Sequence, residues 1–296
     1  MKTHLIEDVT LHLAHADQLD MEWVGRRDLM RQLLAAWLVV DAGDLPLNPR
    51  LVGKPGVGKT TLACGAAREL GRPVWVYQAT MDTRPEDLLV TPVVGPNGSI
   101  QYAASPLVTA MIEGGICVLD EGNRMSEKSW ASLAPLLDAR RYVESVVAGV
   151  KVAAHPDFRI CVTMNDDAST FDIPEYIHSR LQPQILIDFP DEEEERLILQ
   201  RNVPFAPAQV LDYVVGFLRA AHHNDEPFTV RDGINLARYA LKRLSQEPGR
   251  DLMDALSEAA RMTLGEDGAK YLLRHDAQPP AGPRELGDDD PSDTES

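Results

Sequence analysis

The stretch Gly53-Lys54-Pro55-Gly56-Val57-Gly58-Lys59-Thr60 decides the fold, because it matches the pattern G-x-x-x-x-G-K-[ST] at every fixed position. Its glycines allow backbone N–H groups to turn inward around a triphosphate, and Lys59 can reach the β- and γ-phosphates. The Thr60 hydroxyl can hold Mg²⁺, and a helix beginning near Thr61 contributes the positive end of its dipole. We therefore expect this loop to bind a nucleoside triphosphate together with magnesium.

The composition is acidic, with 29 Lys and Arg residues against 46 Asp and Glu residues and a net charge of −17. A protein that works on nucleic acid normally carries a basic stripe that releases counterions, and the sequence shows none. The acidic balance therefore argues against DNA or RNA as the main partner.

The three cysteines, Cys64, Cys117 and Cys161, each lie within an apolar run, which indicates buried thiols of a reduced compartment. The longest apolar runs have the length of strands, so we expect no membrane span. The first residues contain no apolar run and hence predict no signal peptide. Together these features predict a cytoplasmic protein.

Short apolar runs alternate with helical patterns through residues 22–190. The runs cover residues 51–52, 74–77, 116–119, 160–164 and 185–187. Continuous apolar runs are typical of strands covered on both faces, as in a parallel sheet. We predict an α/β nucleotide-binding domain over 22–190, with a doubly wound parallel sheet of the P-loop NTPase type.

The character of the chain changes after Pro190. Helical patterns follow at residues 191–202, 207–223, 229–246 and 252–263, which predicts a small all-α lid domain over 191–275. Residues 1–21 read as an irregular N-terminal segment. Residues 276–296 are rich in Asp, Pro, Gly and Ser, and we predict an acidic, disordered tail there.

A second half of the site follows two of the predicted strands. Asp120 and Glu121 end the 116–119 run, and Asn165 ends the 160–164 run. Because ligands of open α/β sheets gather at the carboxyl ends of strands, these side chains should lie beside the phosphate loop. There Asp120 can bind Mg²⁺ through water, Glu121 can polarise the attacking water, and Asn165 can contact the γ-phosphate or that water. A strand-end asparagine that only begins a turn remains the alternative for Asn165.

The order of these parts resembles the AAA+ ATPases. The stretch Leu119-Asp120-Glu121-Gly122-Asn123-Arg124 resembles the D-E-x-N-R motif of their MoxR and dynein-related branch, which includes proteins similar to CbbQ and NorQ. The resemblance runs from Trp23 to Leu244. The sequence departs from the family pattern at two positions. Lys54 replaces the commoner Pro or Glu, and Gly122 replaces a usual Ile or Leu. The glycine predicts a looser turn after Glu121.

The resemblance implies roles for further residues. The hairpins predicted at 88–102 and 141–152 are similar to the family's helix-2 insert and pre-sensor hairpin, which face a central pore. It also implies that Val24 and Gly25 flank the adenine, that Arg180 is a finger reaching a neighbouring subunit's site, and that Arg231 touches the γ-phosphate in its own subunit. Arg124, Arg140 and Arg141 are rival fingers, and surface salt bridges are the alternative for all five arginines.

Three polar clusters do not predict metal sites. His222 and His223 are neighbours and would point about 100° apart on a helix, so a solvated helix end is the better interpretation. A second cluster, His4, His12 and His15, lacks a cysteine partner and lies in the segment predicted to be irregular. The acidic run from Asp191 to Glu195 reads as the first turn of a lid helix, where negative charge meets the helix dipole.

The resemblance implies an oligomeric ATPase of MoxR type, forming a hexameric ring that uses ATP and Mg²⁺ to remodel or activate a partner protein. A von Willebrand A domain protein is the partner class to expect. A nucleotide-dependent scaffold with little hydrolysis and a GTP-driven restriction-type motor remain open; Gly122 is the only sequence feature favouring the scaffold. A small-molecule kinase is disfavoured, because an Asp-Glu pair set to activate water would waste ATP.

Overall fold

The computed structural model describes residues 2–19, 22–95, 98–166 and 173–272. The predicted acidic tail at 276–296 and the end of the predicted lid lie outside the described residues. The strands are β1 (Thr3–Ile6), β2 (Val9–His12), β3 (Arg50–Gly53), β4 (Val74–Gln78), β5 (Val90–Val94), β6 (Ile100–Ala104), β7 (Ile116–Asp120), β8 (Tyr142–Ser145), β9 (Val150–Ala153), β10 (Arg159–Asn165) and β11 (Gln184–Leu186). The helices are α1 (Arg27–Trp37), α2 (Lys59–Glu69), α3 (Pro85–Leu88), α4 (Pro106–Glu113), α5 (Glu127–Leu133), α6 (Glu175–His178), α7 (Glu192–Asn202), α8 (Ala208–His222), α9 (Val230–Gln246) and α10 (Leu252–Ala269).

The five predicted apolar runs form one sheet in the order β11-β3-β10-β7-β4. Every neighbouring pair in it is parallel. Successive residues of β7 alternate between two cores, because Cys117 and Leu119 pack on one side of the sheet while Ile116 and Val118 pack on the other. The prediction of a parallel sheet covered on both faces is confirmed.

Both predicted hairpins are present. β5 pairs antiparallel with β6, and β8 pairs antiparallel with β9. Their tips carry exposed apolar side chains, since Val94 is 82% exposed and Val146 is 91% exposed. Apolar side chains left in water at these two inserts are available for contacts outside the chain.

The prediction that the N-terminal segment is irregular is wrong. β1 and β2 form a hairpin, and β2 continues into a four-stranded sheet by pairing parallel with β6. The chain then covers the edge of β4, where the Asp17 N–H donates to the Val74 carbonyl over 2.9 Å. The segment is ordered because Leu11 and Leu13 are buried in the main core. The sequence of two short strands does not by itself show this burial.

The helices α7 to α10 follow the sheet and share a separate apolar core that includes Phe217 and Leu236. The acidic run begins α7 as predicted, with Asp191 as N-cap in a capping box with Glu194. α10 extends beyond the predicted end at residue 263, across a non-helical Gly265. Within the described residues no helix is both long and apolar enough to cross a bilayer.

The interpretation of His222 as part of a solvated helix end is wrong, although His223 is exposed. The His222 side chain is only 10% exposed, and its ring stacks on Phe189 with 3.9 Å between ring centroids. Among the described residues no group of three or more His, Cys, Asp or Glu side chains could hold a metal ion. His222 is therefore a buried packing residue rather than part of a solvated helix end.

The three cysteines are free and buried, as predicted. Burial raises the pKa of the Cys64 thiol to about 11, with smaller contributions from Asp120 and Asp17. A thiol with so high a pKa stays protonated near neutral pH, so Cys64 serves as packing rather than as a nucleophile.

Candidate nucleotide-binding site

The phosphate loop joins β3 to α2 and turns on glycines with positive φ. Gly56 has φ 85° and Gly58, which caps α2, has φ 95°. A Cβ at Gly56 would lie 2.6 Å from Thr229 Oγ1, and one at Gly58 would lie 3.2 Å from the Trp23 ring. The loop therefore needs glycine both for its backbone conformation and for close contact with its neighbours.

Lys59 is held inside this loop. It is only 6% exposed, and its Nζ donates to the carbonyl oxygens of Gly53 and Lys54, each at 2.8 Å. Pro55 is exposed on the outside of the same loop. Two main-chain carbonyls thus hold a buried ammonium group inside the turn that would surround the phosphates.

The carboxyl ends of β7 and β10 bring the predicted polar residues together. Asp120 Oδ1 accepts hydrogen bonds from the Thr60 hydroxyl at 2.7 Å and the Thr163 hydroxyl at 2.5 Å. The Glu121 N–H donates to Thr163 Oγ1 at 3.0 Å, and Asn165 Nδ2 donates to Glu121 Oε1 at 3.1 Å. One continuous network therefore joins the start of α2 to both strand ends.

Glu121 is also bound from the other side. Its Oε2 lies 2.7 Å from Arg124 Nε, so this rival finger is tied to the carboxylate of its own chain. The expected loosening at Gly122 is wrong, because this residue is buried and a Cβ there would lie 2.5 Å from Val162 Cγ1. Gly122 is required by close packing under the turn.

The remaining arginines have different environments. Arg180 Nη1 donates to the Tyr176 carbonyl at 2.5 Å and its Nε lies 3.5 Å from Asp138 Oδ2. Arg140 binds the same carboxylate through Nε and Nη2, and this lowers the pKa of Asp138 to about 2. Burial lowers the pKa of Arg141, which donates to the Phe158 carbonyl. Among the described contacts, Arg180 makes none to the phosphate loop of its own chain.

A cleft of about 920 Å³ lies between the phosphate loop and the helices α7 and α9. Of the residues expected to bind nucleotide or phosphate, its wall contains Val24, Gly56, Val57, Gly58, Thr61 and Arg231. Gly25 lies beside this wall, where a Cβ would be 2.9 Å from the Trp23 ring. The cleft has the size of a small-molecule site and opens directly onto the loop.

Sequence reasoning missed Trp23, which lines this cleft next to Val24. Its indole Nε1 is buried and has no hydrogen-bond partner within the described part of the chain. Indole N–H groups usually find a partner when buried, so this donor fits a polar ligand in the cleft. The available signal was an aromatic residue directly before the predicted adenine-flanking pair.

Comparison with known proteins agrees with this geometry. The model of the AAA domain family, dynein-related subfamily, matches residues 50–181. Relatives include protein NorQ of Paracoccus denitrificans, 31% identical over 45% of this chain and 48% of its own length. Protein MoxR of the same species is 27% identical over 74% of this chain and 63% of its own length.

The chain is therefore similar to AAA+ ATPases of the MoxR type, with the family match confined to residues 50–181. Mouse von Willebrand factor A domain-containing protein 8 is 24% identical over 81% of this chain but only 14% of its own length. The chain thus spans less than two thirds of the length of each of these relatives. A variant of Thermotoga maritima RuvB has the same fold, with a TM-score of 0.57 at 16% identity over 83% of this chain and 72% of its own.

Proposed function

We propose that this chain hydrolyses ATP with Mg²⁺ in a hexameric ring and uses that turnover to remodel or activate a partner protein. The observation that carries the proposal is the network that places Glu121 beside Asn165 and links it, through Thr163 and Asp120, to the phosphate loop. A carboxylate and an amide aimed from adjacent strand ends fit the activation of a water in line with the γ-phosphate. The test is phosphate release by the purified chain, with ATP and GTP compared at increasing protein concentration.

Each residue has a distinct part in the proposed reaction. Lys59 exchanges its two carbonyl contacts for the β- and γ-phosphates, and Glu121 takes the proton of the attacking water. Asn165 orients that water or the γ-phosphate, while Arg231 contacts the phosphate from the lid helix. Electrostatic stabilisation and positioning of this kind account for most of the catalysis of phosphoryl transfer.

The donors present fit Mg²⁺. When bound, Mg²⁺ would neutralise charge on the phosphate oxygens. The Thr60 hydroxyl would ligate the ion, and Asp120, 2.7 Å from that hydroxyl, would hold it through water. Mg²⁺ usually keeps several waters and needs only one or two protein groups, which agrees with so small a donor set.

Arg180 supports the ring. Its described contacts hold it beside Tyr176 and Asp138 and none joins it to its own phosphate loop, which supports the proposal that it completes the site of a neighbouring copy. The exposed apolar tips at Val94 and Val146 are the surfaces we propose for the partner protein. The mouse relative's name includes a von Willebrand A domain, which favours a protein of that class as the partner.

The scaffold alternative loses the one sequence feature that favoured it. Gly122 is fixed by packing against Val162 and Trp130 rather than loosening the turn. The GTP-driven motor is distinguished by the side-by-side comparison of ATP and GTP turnover. A preference for GTP would support that motor and contradict the ATPase proposal.

We expect Lys59→Ala to lose nucleotide affinity. The variant lacks the ammonium group that would bind the phosphates, and a charge-assisted hydrogen bond worth about 1.5–3 kcal/mol corresponds to roughly 10- to 100-fold in affinity. Titration with a fluorescent ATP analogue measures the change, and Lys128→Ala, on an exposed lysine of α5, is the matched control. Unchanged affinity in Lys59→Ala would contradict the phosphate-loop assignment.

Asp120→Asn should mainly raise the Mg²⁺ requirement. The amide keeps the shape but removes the charge behind the ion, and residues that support a metal ligand typically contribute about 10- to 100-fold to metal affinity. Turnover measured over a Mg²⁺ titration should therefore reach half-maximum at about tenfold higher concentration or more. Asp82→Asn, on an exposed turn, should not shift the curve. A Mg²⁺ curve for Asp120→Asn that overlays the parental one would rule out this role.

A further inference from the structure

Four side chains form a continuous column from the phosphate loop into the lid, which we call the coupling column: Lys54, Phe189, His222 and Glu195. The His222 ring stacks on Phe189 at 3.9 Å between centroids and 17° between planes. Lys54 Nζ lies 4.7 Å from the centroid of the same Phe189 ring. Since the imidazole covers one face of Phe189, the ammonium lies over the other face.

The lid end of the column is firmly held. His222 Nε2 lies 2.5 Å from the Phe228 carbonyl oxygen, which can only accept, so Nε2 carries a proton. His222 Nδ1 lies 3.3 Å from Oε1 of Glu195, a fully buried carboxyl group. Neither Glu195 oxygen accepts a hydrogen bond from any described residue. The His222 ring of α8 thus lies against the buried carboxyl group of Glu195 in α7, so the lid end of the column joins two lid helices.

The other end of the column adjoins the phosphate site. The main-chain carbonyl of Lys54 is one of the two that accept from Lys59 Nζ. A triphosphate that draws Lys59 away removes this contact from the residue whose side chain caps the column. The loop also touches the start of α9 directly, because a Cβ at Gly56 would meet Thr229.

We propose that the coupling column positions the lid over the nucleotide cleft, and that Lys54, Phe189 and His222 are positioning residues that slow the release of bound nucleotide. This inference rests on the proposed nucleotide-binding function. It assigns a use to Lys54, which departs from the usual family residue, and to His222, whose burial the catalytic roles do not explain. The competing explanation is that Lys54 simply attracts the phosphates, in which case Phe189 and His222 should not influence its effect.

A double-mutant cycle separates the two explanations. The variants are Lys54→Met, Phe189→Leu and their combination, and the readout is release of N-methylanthraniloyl-ADP by stopped flow. Each single change should accelerate release roughly fivefold, the size of one partly desolvated cation–π contact. The double variant should be no faster than the singles, whereas independent effects would multiply to roughly 25-fold. Multiplied effects would overturn the coupling column.

A second cycle extends the test to the lid. Lys54 and His222 do not touch each other, so non-additive release rates in Lys54→Met with His222→Gln require transmission through Phe189. Lys54→Arg, which keeps a cation over the ring, should release nucleotide at nearly the parental rate, and Lys242→Met is the matched control on an exposed lid lysine. Thermal unfolding of the same variants without nucleotide tests for a purely structural role. A lower melting temperature with an unchanged rate of nucleotide release would overturn the proposal.

Failure of the inference differs from failure of the proposed function. If Lys59→Ala binds nucleotide as tightly as the parent, the nucleotide site itself is wrong. If Lys59→Ala loses affinity while both cycles are additive, the site stands and the coupling column is rejected.

Discussion

We expect Arg180→Ala to bind ATP with parental affinity and yet to hydrolyse it far more slowly. Its own phosphate loop and carboxylate network are untouched, because Arg180 contacts Tyr176 and Asp138 instead. An arginine that reaches the γ-phosphate from a neighbouring subunit neutralises charge in the transition state and is worth roughly 10³–10⁵ in rate. Equilibrium ATP binding and steady-state phosphate release, measured on the same variant, show whether binding is retained while hydrolysis is lost.

Mixing variants tests whether the arginine acts between subunits. Arg180→Ala has intact pockets and Lys59→Ala has intact fingers, so their mixture should recover activity that neither shows alone. In a random head-to-tail ring of equal amounts, about a quarter of the interfaces pair an intact pocket with an intact finger. If the mixture remains inactive although both variants co-assemble, Arg180 acts within its own subunit or only supports the fold.

Arg140→Ala is the matched control for this experiment. Arg140 shares the Asp138 carboxylate with Arg180 and was the neighbouring candidate for the same role. Its removal leaves the Arg180 contact with Asp138 in place, and we therefore expect most of the turnover to remain. If Arg140→Ala loses turnover and mixing it with Lys59→Ala restores that turnover, Arg140 rather than Arg180 is the finger.

We expect Glu121→Gln to abolish turnover while ATP binding and assembly persist. The amide can still accept from Asn165, but it can take no proton from the attacking water and loses its ion pair with Arg124. Removal of a general base typically costs about 10²–10⁴ in rate. A single-turnover assay measures the effect. We expect the bound ATP to remain unhydrolysed in rings whose sites are filled.

Glu127→Gln supplies the comparison, because it makes the same change on an exposed residue of α5 six positions further along the chain. It should hydrolyse ATP at the parental rate. Parental turnover in Glu121→Gln would instead mean that the base lies elsewhere in the site, and the proposed reaction would need another carboxylate.

Much of the fold was predictable because its signals are local. The phosphate loop fixes its own conformation through glycines at Gly56 and Gly58, and the five apolar runs are typical of strands covered on both faces. The two hairpins carry turn residues within their own sequence. The positions of Asp120, Glu121 and Asn165 followed from strand ends alone, since adjacent parallel strands end at the same edge of the sheet.

Other features depend on residues far apart in the chain, and no local pattern shows them. The N-terminal hairpin is held by pairing of β2 with β6 and by burial of Leu11. Trp23 enters the cleft because it packs across the phosphate loop, and Gly122 is small because Val162 lies beneath it. Each of these residues would be unremarkable in the sequence without its partner.

The class of fold and the chemistry of the phosphate loop are predictable without a structure, because both rest on residue spacing within single segments. The environments of the charged side chains follow from the folded packing instead: Arg124 lies on Glu121, Arg180 lies on Asp138, and His222 is buried between Phe189 and Glu195. The physical reason is that a charged side chain is stabilised by whatever lies within a few ångströms of it. Packing brings those partners together from distant parts of the chain.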